Sequence, residues 1–96
     1  MRTRYIVCYD ISDQKRWRKV FRKMKGFGTH LQFSVFACDL IPQRRIELEA
    51  ELTELINHRE DRVMIANVGP ADSRGSISIE CLGRQEAVPE RKVIIW

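Results

Sequence analysis

Three cysteines, three prolines and five glycines are few for a chain of 96 residues, and each scarcity closes off a class of protein. Cys8, Cys38 and Cys81 are odd in number and stand singly inside apolar runs, so they offer neither a disulfide framework nor a Cys-x-x-Cys metal pair. They read as buried thiols of a reducing compartment. No apolar run is long enough to span a bilayer or to form a secretory core, since the stretch opening at Tyr5 is broken by Asp10. The chain is expected to be soluble and cytoplasmic, without a membrane partner. Also missing are an His-Glu-x-x-His pair, a glycine-rich phosphate loop and any Ser-His-Asp order, which removes most enzyme classes that a motif defines.

What is present suffices for one core. Hydrophobic residues make up 44% and charged residues 31% of the chain, the balance of a single folded domain over residues 1–96. The net charge of +4 is unevenly placed. From Ser12 to Lys25 seven basic residues stand against Asp13 alone, whereas from Gln43 to Asp61 six acidic residues outnumber three arginines. One face is thus suited to a polyanion such as nucleic acid, although a solvated charged helix gives the same pattern.

Tyr5 to Tyr9 is β-branched and aromatic on both faces, the pattern of a strand in the middle of a sheet. Ser12 is a candidate N-cap, and Trp17, Val20, Phe21 and Met24 recur at helical spacing up to Gly26 and Gly28. Their stripe reads as core. Thr29 to Ile41 is β-prone, and forms either one long strand or two strands joined at a bend near Gln32 to Ser34. Pro42 can open a second helix whose stripe is Leu48, Leu52, Leu55 and Ile56. Arg62 to Val68 predicts a further strand ending at Gly69-Pro70. Alternation over Ile77 to Cys81 and the apolar tail Arg91 to Trp96 predict two short strands more. The order matches an α+β, ferredoxin-like βαββαβ sandwich with an additional C-terminal strand: an antiparallel sheet with two helices on one face. Its other face would be left open and apolar, which calls for a homodimer.

Few residues suggest chemistry. Asp10, at the end of the first strand and before the basic helix, is either a cap or turn residue or a metal ligand. Mg²⁺ usually keeps waters beside one or two carboxylates, so a two-fold axis near that strand end would supply a second Asp10. His30 can reach a phosphate or carry a proton, and His58 suits the end of the second helix. Tyr9 and Phe36 can stack on unpaired bases or fill the core.

The segments Tyr5 to Ile11 and Gly28-x-x-x-Gln32-x-Ser34-Val35-Phe36 resemble the CRISPR-associated protein two family, the small subunit of the spacer-acquisition machinery. An acidic second helix, an Asp61-Arg62-Val63 strand opening, Gly83 and a hydrophobic C-terminal stretch follow in the family's order. The resemblance implies a ferredoxin-like homodimer, with residues 83–96 a C-terminal extension packing on the partner protomer. It implies a Mg²⁺-dependent endonuclease acting on single-stranded RNA or double-stranded DNA, with Asp10 as the metal ligand and Tyr9, Asp10, Ser34 and Phe36 as the catalytic motif. The dimer would bridge dimers of the integrase, CRISPR-associated protein one, and bind the spacer DNA backbone through Arg16, Arg18 and Arg22. His30 stands where the family commonly carries arginine, which makes that contact dependent on protonation. A non-catalytic nucleic-acid scaffold is the alternative function. A small-molecule sensor on the same fold is a third and weaker fit, because no loop singles out a ligand.

Overall fold

The computed structural model describes residues 1–71 together with Glu80, Leu82 and Gly83. The strands expected over Ile77 to Cys81 and Arg91 to Trp96, and the 83–96 extension, lie outside the described residues apart from Glu80 and Gly83. Six elements follow in order: β1 (Thr3–Asp10), α1 (Gln14–Lys25), β2 (Thr29–Gln32), β3 (Val35–Leu40), α2 (Pro42–Leu55) and β4 (Arg62–Pro70). The strands form one sheet in the order β2-β3-β1-β4, every pairing antiparallel. This is the ferredoxin-like α+β plan, with the first strand at the centre. No helix among the described residues is long and apolar enough to cross a membrane.

Strand alternation decides what each face does. Val7 and Tyr9 of β1 and Phe36, Cys38 and Leu40 of β3 point to one side, where they pack with Val20 and Met24 of α1 and Leu48 and Leu52 of α2. Full burial of each such side chain contributes roughly 1.5–3 kcal/mol. Burial also pushes the Cys38 thiol up to about 12, helped by the charge of Asp39, so this cysteine is an inert core residue. Cys8 differs from the expectation of burial: it lies half-exposed on the other face. There Ile6 is flanked by Ala37 and Ala66, and Cys8 by Val35 and Met64. The far end of that face is closed by Arg4, whose guanidinium grips Asp39 at 2.7 and 2.8 Å.

The segment after α1 resolves into two strands. Its connection is the two-residue Phe33-Ser34 turn, which carries no Gly or Asn because no described non-glycine residue adopts positive φ. Tight hairpins ordinarily need such conformations to match strand twist. Here Leu31 is an extra residue between the pairs His30↔Phe36 and Gln32↔Val35, and this bulge supplies the local twist instead. A second irregularity lies where β4 passes Arg4 and Tyr5. There Gly69 takes φ of +107°, a conformation that favours glycine, and its N–H donates to Asn67 Oδ1 at 2.9 Å.

Asp13, not Ser12, caps α1. Its carboxylate accepts the Arg16 backbone N–H at 2.9 Å, while Ser12 is held by acidic residues that precede β4. Pro42 occupies the first turn of α2 as expected. His58, beyond the end of α2, donates to the Thr53 carbonyl at 2.9 Å, a satisfied surface role.

Gly28 is where the chain leaves α1 against β3. A Cβ there would collide with the Ala37 carbonyl and Cys38 Sγ, both in the packed interior. Gly28→Ala is therefore expected to lower the urea midpoint, with a loss of about 1–3 kcal/mol and little change in the unfolding slope.

Candidate nucleic-acid interface and carboxylate site

Asp10 ends β1 and directs an exposed carboxylate out of the sheet. That carboxylate makes no hydrogen bond or ion pair with any described residue, although Arg62 lies opposite it in the β1–β4 register. Together with Cys8, Tyr9, Arg62 and Met64 it lines a shallow depression of about 250 Å³. No group of three or more His, Cys, Asp or Glu side chains converges there or elsewhere among the described residues. One protomer thus offers a single oxygen-donor side chain at this point. An exposed carboxylate without a competing partner suits a hard cation, but leaves most of the coordination shell to water, substrate or a second copy.

Ser34 joins three elements beside Asp10. Its carbonyl accepts the Tyr9 N–H at 3.1 Å, and its hydroxyl accepts the indole N–H of Trp17 at 2.9 Å. The β2–β3 turn is thereby fastened both to β1 and to α1. Tyr9 and Phe36 lie below, 6% and 0% exposed, with ring centroids 6.3 Å apart. Neither presents a face to solvent, so base stacking by these two rings is replaced by core packing. The Tyr9 hydroxyl has no hydrogen-bond partner among the described residues, and burial pushes its pKa from 10.0 to about 12. It is a neutral phenol at physiological pH.

The cations of α1 separate into two groups. Arg16, expected to face phosphate, is instead committed within the protein: its Nε donates to Asp61 Oδ2 at 2.8 Å and its Nη2 to Glu60 Oε1 at 3.1 Å. Asp61, its side chain withdrawn from solvent, also accepts the backbone N–H groups of Ser12 at 3.0 Å and Asn57 at 2.8 Å. This network ties the start of α1 to the α2–β4 connection. Lys23 likewise pairs with Glu51 at 2.7 Å. Arg18 and Arg22, with Lys15 and Lys19, are exposed and have no ion pair among the described residues. They are the free part of the basic segment. His30 sits on β2, its Nε2–H donating to the Phe33 carbonyl at 3.3 Å and its ring 5.0 Å from that of Phe21 in α1.

Two residues escaped the sequence reading. Phe33 is 74% exposed and stacks on Trp17, with centroids 4.9 Å apart. The run Thr29 to Ile41 reads as one strand or two, and no Gly or Pro marks the turn that carries Phe33 outward. Arg62, opposite Asp10, is visible only through strand register.

A ferredoxin-like sheet with a free carboxylate at the end of its central strand, beside a helix of unpaired cations, describes a small α+β protein suited to polyanions. Comparison with known proteins narrows this class. The sequence profile described as CRISPR associated protein Cas2 matches residues 1–74. A CRISPR-associated endoribonuclease Cas2 from Geobacter sulfurreducens is 52% identical over 69 residues, covering 72% of this chain and 73% of that protein. One from Rhodospirillum rubrum is 43% identical over 91 residues, covering 95% and 88%. Among solved structures, Streptococcus pyogenes Cas2 superposes with a TM-score of 0.72 at 26% identity, covering 83% of this chain and 99% of that one. A hypothetical protein from Thermus thermophilus does so with 0.76 at 28%, covering 88% and 94%. The chain belongs to the Cas2 family.

Two stability measurements test this description. Arg16 holds the Asp61 carboxyl well below the usual carboxylate range. The resulting stabilisation is present above the unfolded-state value near 3.8 and is lost as pH falls through that value toward the folded one. Asp61→Asn is expected to cost roughly 1–3 kcal/mol at neutral pH and to flatten the acid limb of stability against pH. Tyr9→Phe should leave stability unchanged or raise it by up to about 1 kcal/mol, since it removes an unsatisfied buried hydroxyl. It should also abolish the wild-type loss of stability as pH rises from about 10 through about 12.

Proposed function

We propose that this protein is a metal-dependent endonuclease of CRISPR adaptation, acting on the phosphodiester backbone of RNA or DNA as a homodimer. The observation that carries the reading is the unpartnered Asp10 carboxylate at the end of the central strand, beside the free cations of α1. Relatives named as endoribonucleases support the chemistry. Asp10 would hold Mg²⁺, with the matching carboxylate coming from the two-fold mate. When bound, the ion activates water and offsets charge on the phosphate.

The chain's own residues bind and orient. Arg18 and Arg22 engage phosphates at the exposed side of α1, contacts that position a strand without reading its bases. Arg16 acts one step back, by fixing the start of the helix through Asp61. Ser34 anchors the backbone immediately before Asp10, and Tyr9 and Phe36 support that strand end from the core. They are positioning residues. The apolar open face formed by Ile6, Cys8, Val35, Ala37, Met64 and Ala66 supports dimerisation, because pairing with a copy would cover Met64, which is 51% exposed.

A scaffolding role, in which the dimer bridges integrase dimers and binds spacer DNA without cutting it, is favoured by the same four unpaired cations. The two readings part at Asp10. Asp10→Asn is expected to reduce cleavage of RNA and DNA at least 100-fold, as chelation does, while leaving affinity within about threefold. Reversing Arg18 and Arg22 together should weaken binding on every sequence and lower the salt-dependence slope by about 2. Cleavage unaffected by Asp10→Asn or by chelator would remove the catalytic reading and leave the scaffold.

A further inference from the structure

The turn beside Asp10 carries an aromatic surface that the phosphate contacts leave unused. Phe21, Trp17 and Phe33 form a three-ring ladder: Trp17 lies 5.1 Å from Phe21 at 14° and 4.9 Å from Phe33 at 21°. The inner rungs are half-buried, whereas Phe33 is 74% exposed. One face of its ring rests on the indole and the other has no aromatic neighbour among the described residues. The ladder is also braced. Trp17 is held through its indole N–H by Ser34, and the Phe33 carbonyl accepts from His30. A stacked ligand would therefore find its platform already ordered, with little conformational freedom left to lose.

Its position ties it to the end of β1. Cys8 pairs with Val35 across the sheet, and the Tyr9 N–H donates to the Ser34 carbonyl, so the turn that carries Phe33 is fastened to that strand end. The Phe33 ring rests on α1 through Trp17, whereas Asp10 opens onto the depression it shares with Cys8 and Met64. The exposed charge beside the rings is positive. Arg18 follows Trp17 in α1 and is exposed, and Lys25 lies 5.5 Å from the Phe21 ring centre. The acidic residues near the start of the helix are engaged, Asp13 in capping and Glu60 and Asp61 by Arg16. The exposed cations match a polyanion, and the exposed ring matches a flat group carried on it, which together describe nucleic acid.

We infer that Phe33, supported by Trp17, is a stacking platform for an unpaired nucleobase at the β2–β3 turn, beside the exposed cations of α1, which makes this part of the protein selective for single-stranded over duplex nucleic acid. The inference rests on the nucleic-acid reading above and adds a base-contacting residue to it. Phosphate contacts alone treat single strands and duplexes alike in kind. A platform for a base face requires that the base be out of its helix.

The test is equilibrium binding by the full chain in chelator, so that no strand is cut. Three labelled probes of equal length are compared: a single-stranded RNA or DNA, its blunt duplex, and a single strand with abasic sites. Phe33→Ala is expected to weaken the base-bearing single strand about 5- to 100-fold and to change the duplex and abasic probes less than twofold, with the salt slope intact. Phe33→Trp should restore single-strand affinity. The exposure of Phe33 predicts an unchanged melting midpoint, and an unchanged oligomeric state is required. Equal weakening of all three probes, no weakening of any, or dissociation of a dimer on Phe33→Ala would overturn the inference. The outcome is separable from that at Asp10: loss of cleavage in Asp10→Asn with normal probe discrimination in Phe33→Ala keeps the carboxylate reading and discards the platform.

Discussion

The pairing of β1 on both of its edges is the constraint on which the rest of the molecule depends. Being central, this strand cannot slip by one residue without sending Val7 and Tyr9 to the open face and Ile6 and Cys8 into the core. The same register that buries Val7 delivers Asp10 to the strand end and sets Arg62 opposite it. Placement of the carboxylate is thus a by-product of core packing. It needs no dedicated hydrogen bond, which is why the carboxylate can remain free.

Around that strand, charge is divided by function. Arg16 and Lys23 are spent on the protein, one on Asp61 and Glu60 and the other on Glu51 of α2. The acidic excess of the second half of the chain thereby neutralises the inward-facing part of the basic helix and leaves the outward part uncompensated. An exposed single pair such as Lys23 with Glu51 contributes little to stability. Asp61 is different, because its carboxylate also satisfies two backbone N–H groups and is shielded from solvent. Orientation of the free cations follows from where the committed ones are held.

Much of the fold was readable from the chain, for reasons that can be named. Period-2 and period-3.6 patterns are dense in β1, α1 and α2, and Pro42 marks a helix start by a covalent restriction. The hairpin was readable only as an alternative, since its turn uses ordinary backbone conformations and a bulge at Leu31 where a glycine or asparagine would have announced it. At the site, Asp10 stood out as a carboxylate ending an apolar strand. Ser34 and Phe36 were marked by family likeness, and their physical roles as a clamp and a core ring emerged only with the tertiary contacts. Arg16 looked like any other cation of its helix. Its partners lie more than forty residues later, a separation that no local pattern encodes.

The order of the strands has a consequence for how the molecule is made. β1 is synthesised before both of its neighbours, and one of them, β4, ends at Pro70. At synthesis rates of about 5–20 residues per second, the central strand spends seconds with one edge unpaired. The helices can form meanwhile, but the sheet closes only when the last partner arrives, and the ties from Ser12 and Arg16 to Asp61 close with it. The nascent chain thus passes through a stage in which its most β-prone segment is exposed, and the charges of α1 keep that intermediate dispersed.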